Sequence, residues 1–282
     1  MHTTLISVDE LTRNLGKPRW VIIDCRFSLK DTELGRQAYR DGHIPGAVYA
    51  HLDEDLSGPI LPGITGRHPL PAPAEFVTKL EAWGVSNSSQ VVVYDDLSGA
   101  IASRLWWMLN WVGHSAVAIL DGGWSRWQAM KKPVATESVR PTASSFTPHL
   151  RQELFVSLEE TETIRQNPRF RLVDAREAVR FEGKEEPIDR VAGHIPGAVS
   201  VPFAGNLSPD GTFLSPQQLR KRYEQILGGT PIENVVCYCG SGVTAAHDLV
   251  ALAHAGLGLA RLYAGSWSEW INDPARPVGR MP

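Results

Sequence analysis

The segment Val235-Val-Cys-Tyr-Cys-Gly-Ser-Gly-Val-Thr-Ala-Ala246 places a cysteine, Cys239, between an apolar run and a glycine-punctuated loop. Gly240 and Gly242 permit the positive φ values that curl a backbone until several N–H groups point inward, forming an anion nest ahead of a helix. A thiol of ordinary pKa, about 8.5, is only roughly 3% ionised at pH 7, so a cradle that favours the anion makes such a cysteine a nucleophile. Cys25 and Cys237 sit inside apolar runs and read instead as small buried hydrophobes. An odd cysteine count in a chain of this size speaks against a disulfide framework.

For Cys239 to stand in that position, a buried strand must precede it and a helix must follow. The chain supplies such units twice. Val21-Ile-Ile-Asp-Cys-Arg26 returns as Arg171-Leu-Val-Asp-Ala-Arg176, and Gly42-His-Ile-Pro-Gly-Ala-Val48 returns as Gly193-His-Ile-Pro-Gly-Ala-Val199. Gln90-Val-Val-Val-Tyr-Asp95 matches Asn234-Val-Val-Cys-Tyr-Cys239, and Asp121-Gly-Gly-Trp-Ser-Arg-Trp127 matches Ala264-Gly-Ser-Trp-Ser-Glu-Trp270. Four matches in one order, with drifting offsets, mean a duplicated domain with loop insertions rather than a short-period solenoid. The expected division is a first domain over 1–135, a linker over 136–148 rich in Ser, Thr and Pro, and a second domain over 149–282.

Strands are expected at 21–23, 91–94 and 117–120, and again at 172–173, 235–238 and 260–263, with helices over 100–111 and 244–255. The strands are too apolar for one wet face. The predicted fold class is therefore α/β: two tandem domains, each a parallel sheet flanked by helices on both faces. In such sheets ligands bind where strand C-termini meet helix N-termini, which is the loop after Tyr238. Trp106, Trp107 and Trp111 fall on a helical spacing and read as packing residues.

Composition narrows the function classes. With 28 Lys+Arg against 31 Asp+Glu in 282 residues, the net charge of −3 lacks the basic excess of a nucleic-acid binder. At 43% hydrophobic and 21% charged residues the composition is that of a folded globular chain. No stretch of about 18 apolar residues is present to span a membrane. Ser7, Asp9 and Glu10 interrupt what a leader would need, so a cytoplasmic protein acting on small molecules, with neither nucleic acid nor membrane as partner, is expected.

Taken together, the paired Gly-His-Ile-Pro-Gly-Ala motifs, the Asp-x-Arg after each first strand, the Gly-Gly-Trp and Gly-Ser-Trp near each domain end, and the Cys239 loop resemble the tandem-domain rhodanese-type sulfurtransferases along essentially the whole chain. The loop from Cys239 to Thr244 is similar to that of the 3-mercaptopyruvate sulfurtransferases. Thiosulfate-preferring relatives usually carry basic residues just after the cysteine, and this loop has none. The resemblance implies a ping-pong cycle through a Cys239 persulfide: pyruvate is released, a thiol or cyanide accepts the sulfur, and neither metal nor organic cofactor is needed.

It also implies supporting residues. Gly240, Gly242, Val243 and Thr244 would line the donor. Arg180 matches the family's carboxylate-binding position, and Arg190 matches a second one less directly. Ser241, His68 and Asp53 would form a proton relay, with Asp55 the competing acid, and the first domain would close over Cys239 to contribute His68. The first domain carries Asp95 in place of the nucleophile. His43 and His194 are expected to fix a turn, and Asp24, Arg26, Asp174 and Arg176 to form internal pairs.

Two rivals come from other classes. A cysteine-dependent phosphatase needs an arginine at position 245, where this chain has alanine. A non-enzymatic binding or redox-sensing module would suit the first domain alone, and Cys239 argues against it for the chain. Within the enzyme reading, thiosulfate:cyanide sulfurtransferase is the alternative.

Overall fold

The computed structural model describes residues 1–281, which group into two compact units. The first comprises Met1–Gly58, Leu70–Arg151 and Asp210–Thr212; the second comprises Pro59–Pro69, Gln152–Pro209 and Phe213–Pro282. The segment Pro59–Pro69 therefore lies within the first repeat in sequence but belongs to the second unit in space.

In the first unit five parallel strands, β1 (Leu5–Ile6), β2 (Trp20–Asp24), β3 (Ala47–Tyr49), β4 (Gln90–Tyr94) and β5 (Val117–Leu120), lie in the order β1-β5-β4-β2-β3. β4 is buried along its entire length, as a central strand covered on both faces must be. The helix Ala102–Trp111 that follows it is buried at every position, Trp106 and Trp107 among its largest fully covered side chains. These tryptophans are core residues, as their spacing predicts.

The second unit repeats the plan with β6 (Arg171–Asp174), β7 (Ala198–Ser200), β8 (Val235–Tyr238) and β9 (Arg261–Leu262) in the parallel order β7-β6-β8-β9. The counterpart of β1 shrinks to a single parallel bridge between Phe155 and Leu262. Both units are α/β with helices flanking the sheet, as the repeats imply.

Each sheet is underpinned by the same polar device. Arg26 forks onto Asp24, donates to Gly42 O at 2.7 Å and lies 4.6 Å over the Trp124 ring. Arg176 repeats this on Asp174, Gly193 O and Trp267. The Gly-His-Ile-Pro histidines are structural. His43 Nδ1 meets Tyr39 O at 2.7 Å and stacks on that ring, while His194 Nδ1 meets Phe181 O at 2.7 Å and stacks on Phe181.

Residues 136–148 form neither helix nor strand, but they are packed against the first unit. Ser144 Oγ donates to Val85 O, Asn87 exchanges hydrogen bonds with the Thr147 backbone, and Phe146 is buried.

Candidate active site around Cys239

Cys239 directly follows β8 and is 2% exposed. Its backbone is pinned on both sides by the Gly265-Ser-Trp-Ser268 turn. The Cys239 N–H donates to Ser266 Oγ at 3.1 Å, while Trp267 N–H and Ser268 N–H donate to Cys239 O and Gly240 O at 3.0 and 2.9 Å. Ser266 holds a left-handed φ of 57°, a strained setting for a residue with a side chain. Its hydroxyl also donates to Tyr263 O at 2.9 Å. A turn built this way fixes the cysteine's backbone independently of the thiol. Ser266 is a positioning residue that the repeated motif contained but that sequence reading did not single out.

Gly242 takes φ of 73° where the first unit has Ser98 at 56°, so the two loops turn left-handed at the same place. A Cβ on Gly242 would lie 2.3 Å from Ala264 O, which leaves glycine as the residue that fits. Val243 is buried and Thr244 half-buried at the entry to the helix Ala245–His254.

The first-unit loop reveals what its backbone cradles. Asp95 Oδ1 accepts from Leu97 N–H and Gly99 N–H, and Oδ2 from Ile101 N–H and Ala102 N–H, each at 2.8 Å. Burial raises this carboxyl and the four amides oppose the rise. The position aligned with Cys239 is thus an anion nest filled by the chain's own carboxylate.

The other two thiols are fully buried. Burial, followed by nearby carboxylates, pushes Cys25 and Cys237 well above the ordinary thiol range. All three cysteines are free.

Ser241 is the residue that His68 reaches. The His68 Nδ1 to Ser241 Oγ distance is 2.8 Å, both side chains are buried, and both belong to the second unit. Asp53 and Asp55 belong to the first. Asp53 is exposed and its N–H donates to His51 Nδ1 at 3.2 Å, while Asp55 accepts from Lys79 Nζ at 2.6 Å and from His51 N–H.

Three charged side chains converge on Gly240. A Cβ built there would lie 3.0 Å from Arg67 Nη2, 3.6 Å from Arg180 Nη2 and 3.6 Å from Asp189 Oδ2. Arg180 donates from Nε and Nη2 to Glu186 and from Nη2 to Asp189 at 3.1 Å; Arg67 Nη1 donates to Asp189 Oδ1. Arg180 is therefore at the loop, as expected. Arg190 is not among the groups nearest Gly240: its Nη2 donates to Ile271 O at 2.6 Å. Asp189, its neighbour, occupies that place instead. Arg67 was not anticipated. The only signal for it was a cation beside His68 in Gly66-Arg-His-Pro69.

Asp248, on the helix after the loop, is buried outside this constellation. Oδ1 accepts from Asn206 Nδ2 at 2.7 Å and Tyr223 OH at 3.0 Å, and Oδ2 has no partner among the described residues. Burial pushes its carboxyl up to about 7 from 3.8, against the pull of the Asn206 and Tyr223 hydrogen bonds. A carboxyl raised on folding loses stability as pH climbs from the unfolded value to the folded one, here from about 4 to about 7, by on the order of 4 kcal/mol. Asp248→Asn removes that titration. The variant's stability relative to wild type should rise across this window in urea unfolding and then level off; a flat difference would contradict the assignment.

The rhodanese-like domain family matches twice, over residues 7–130 and 157–273. A probable 3-mercaptopyruvate sulfurtransferase of Pseudomonas aeruginosa is 48% identical over 277 residues, covering 97% of each chain. A putative thiosulfate sulfurtransferase of Mycobacterium tuberculosis is 42% identical, covering 92% of this chain and 90% of the relative. Among solved structures, 3-mercaptopyruvate sulfurtransferase from Leishmania major superposes with a TM-score of 0.85 at 32% identity, covering 98% of this chain and 75% of that one. No helix among the described residues is long and apolar enough to cross a membrane.

Proposed function

Because the chain belongs to the rhodanese-like sulfurtransferases, and so moves sulfur between a small-molecule donor and an acceptor, we propose that its donor is 3-mercaptopyruvate and its sulfur carrier Cys239. The Cys239 thiolate attacks the donor sulfur, the S–S bond forms, and the C–S bond breaks with its electron pair left on carbon. Protonation of that enolate carbon yields pyruvate. An acceptor thiolate or cyanide then attacks the outer sulfur, the S–S bond breaks, and the Cys239 thiolate returns.

The loop amides aligned with those that bind the Asp95 carboxylate support a thiolate and a persulfide anion at Cys239. The Ser241 hydroxyl, hydrogen-bonded to His68, supplies a route for the proton that reaches the enolate. Cytoplasmic placement belongs to the same reading, since three free cysteines fit a reducing compartment.

The choice of donor is carried by the charge balance at Gly240. Both guanidinium groups there are already paired, Arg180 with Glu186 and Asp189, Arg67 with Asp189. A neutralised cluster suits a monoanionic carboxylate better than the dianion of thiosulfate. The second reading, thiosulfate as donor, draws on the same arrangement, since two guanidinium groups lie beside a loop with no cation of its own. Comparison of kcat/KM for the two donors decides: the value for 3-mercaptopyruvate should be the higher, and a higher value for thiosulfate overturns the choice.

A further inference from the structure

Position 266 is serine where the same turn in the first unit is glycine. In the motif that the two repeats share, Gly123 stands at the place of Ser266, and the two residues hold nearly the same left-handed φ, 56° and 57°. Four non-glycine residues among those described have a positive φ, and of these Ser266 alone is buried. Glycine adopts this backbone without penalty, so a side chain here costs stability unless something offsets it. The repeat with the nucleophile keeps the strained residue, and the repeat without one does not.

The serine side chain does two things that Gly123 cannot. Its Oγ accepts the Cys239 N–H at 3.1 Å while donating to Tyr263 O at 2.9 Å, which ties the nucleophile to the strand end beside it. Its Cβ also keeps the turn off the loop. In the first unit a Cβ built on Gly123 would lie 2.3 Å from Asp95 O, and the Trp124 N–H donates to that same oxygen at 2.8 Å, so the turn there closes directly onto residue 95. The matching bond from Trp267 N–H to Cys239 O is 3.0 Å, with the Ser266 side chain accommodated beside it.

The different demands on the two loops account for this. Asp95 is held through its own carboxylate, on four backbone amides. The Cys239 side chain changes from thiolate to persulfide and back in every cycle, so its position has to be fixed through the backbone. We propose that Ser266, by spacing the turn and accepting the Cys239 N–H, sets the rate at which Cys239 takes up sulfur, and that a strained serine stands there for this function rather than for the fold. The inference rests on Cys239 as sulfur carrier and deepens that reading with the residue that governs its loading. A reacting atom displaced by about 1 Å can lose on the order of 10²-fold in rate.

The test is single-turnover sulfur loading of Ser266→Gly and Ser266→Ala, with 3-mercaptopyruvate and separately with thiosulfate, quenched and read as the mass gained by the Cys239 peptide. Ser266→Gly installs the residue that the first unit carries at this φ, so the fold should persist. Ser266→Ala keeps the left-handed strain without the hydroxyl and should be the less stable of the two in urea unfolding. Maximal loading should fall about 10- to 100-fold in both, with the donor concentration for half-maximal loading within about threefold of wild type. Ser266→Gly, which loses the spacing as well as the hydroxyl, should load no faster than Ser266→Ala although it is the more stable. Loading that follows stability, a near-wild-type rate in either variant, or a change confined to the half-maximal concentration overturns the inference. Sulfur found on another cysteine of the wild-type protein overturns the Cys239 reading itself, and the inference with it.

Discussion

Replacing Cys239 by serine should abolish sulfur transfer from any donor, by on the order of 10³-fold or more, while the protein stays folded. An alcohol oxygen fills nearly the volume of the thiol but cannot carry sulfane sulfur. The backbone at this position is held by Ser266 Oγ and by Trp267 and Ser268 N–H groups, none of which uses the side chain. Cys25→Ala and Cys237→Ala form the control. Both thiols are fully buried and pushed up by that burial, so their loss should cost stability and leave transfer in place. Transfer that survives in Cys239→Ser, or disappears in either control with the fold intact, would move the nucleophile elsewhere.

The second large effect belongs to His68. Its ring nitrogen lies 2.8 Å from Ser241 Oγ, two residues beyond the nucleophile, which is hydrogen-bond reach for passing a proton. His68→Ala should slow pyruvate formation from 3-mercaptopyruvate by roughly 10²- to 10⁴-fold, the range for a lost general acid or base. Thiosulfate leaves as sulfite and needs no proton on carbon, so its turnover should change far less. Equal loss with both donors would mean that His68 packs the Ser241 loop rather than moving a proton.

Much of this was legible because duplication writes the same physics twice. The Asp-x-Arg pairs, the Gly-His-Ile-Pro turns and the strand that ends at Tyr94 each return at the same place in the second copy, the last as the strand before Cys239, and in the structure each performs the same task in both units. What escaped is short or distant. β1, β3 and β7 span two or three residues, below the length at which alternation can be read, and their pairing comes from the sheet beside them.

Arg67 escaped for a different reason. It is 173 residues from Gly240, on a segment rich in proline and glycine whose place in the second unit is set by tertiary contacts such as Asn272 Nδ2 to Thr65 O. Arg190 shows how narrow the margin is. One residue separates it from Asp189, and the two side chains end at different partners, one at Ile271 O and the other at the arginines beside Gly240.

Treatment of the wild-type protein with 3-mercaptopyruvate in the absence of acceptor, followed by non-reducing peptide mapping in a mass spectrometer and assay of pyruvate, tests the central claim most directly. The account predicts that the peptide containing Cys239 gains the mass of a single sulfur atom, in step with the pyruvate released, and loses it when a thiol or cyanide is added. Pyruvate released with no sulfur on Cys239, or sulfur found on Cys25 or Cys237 instead, would contradict it.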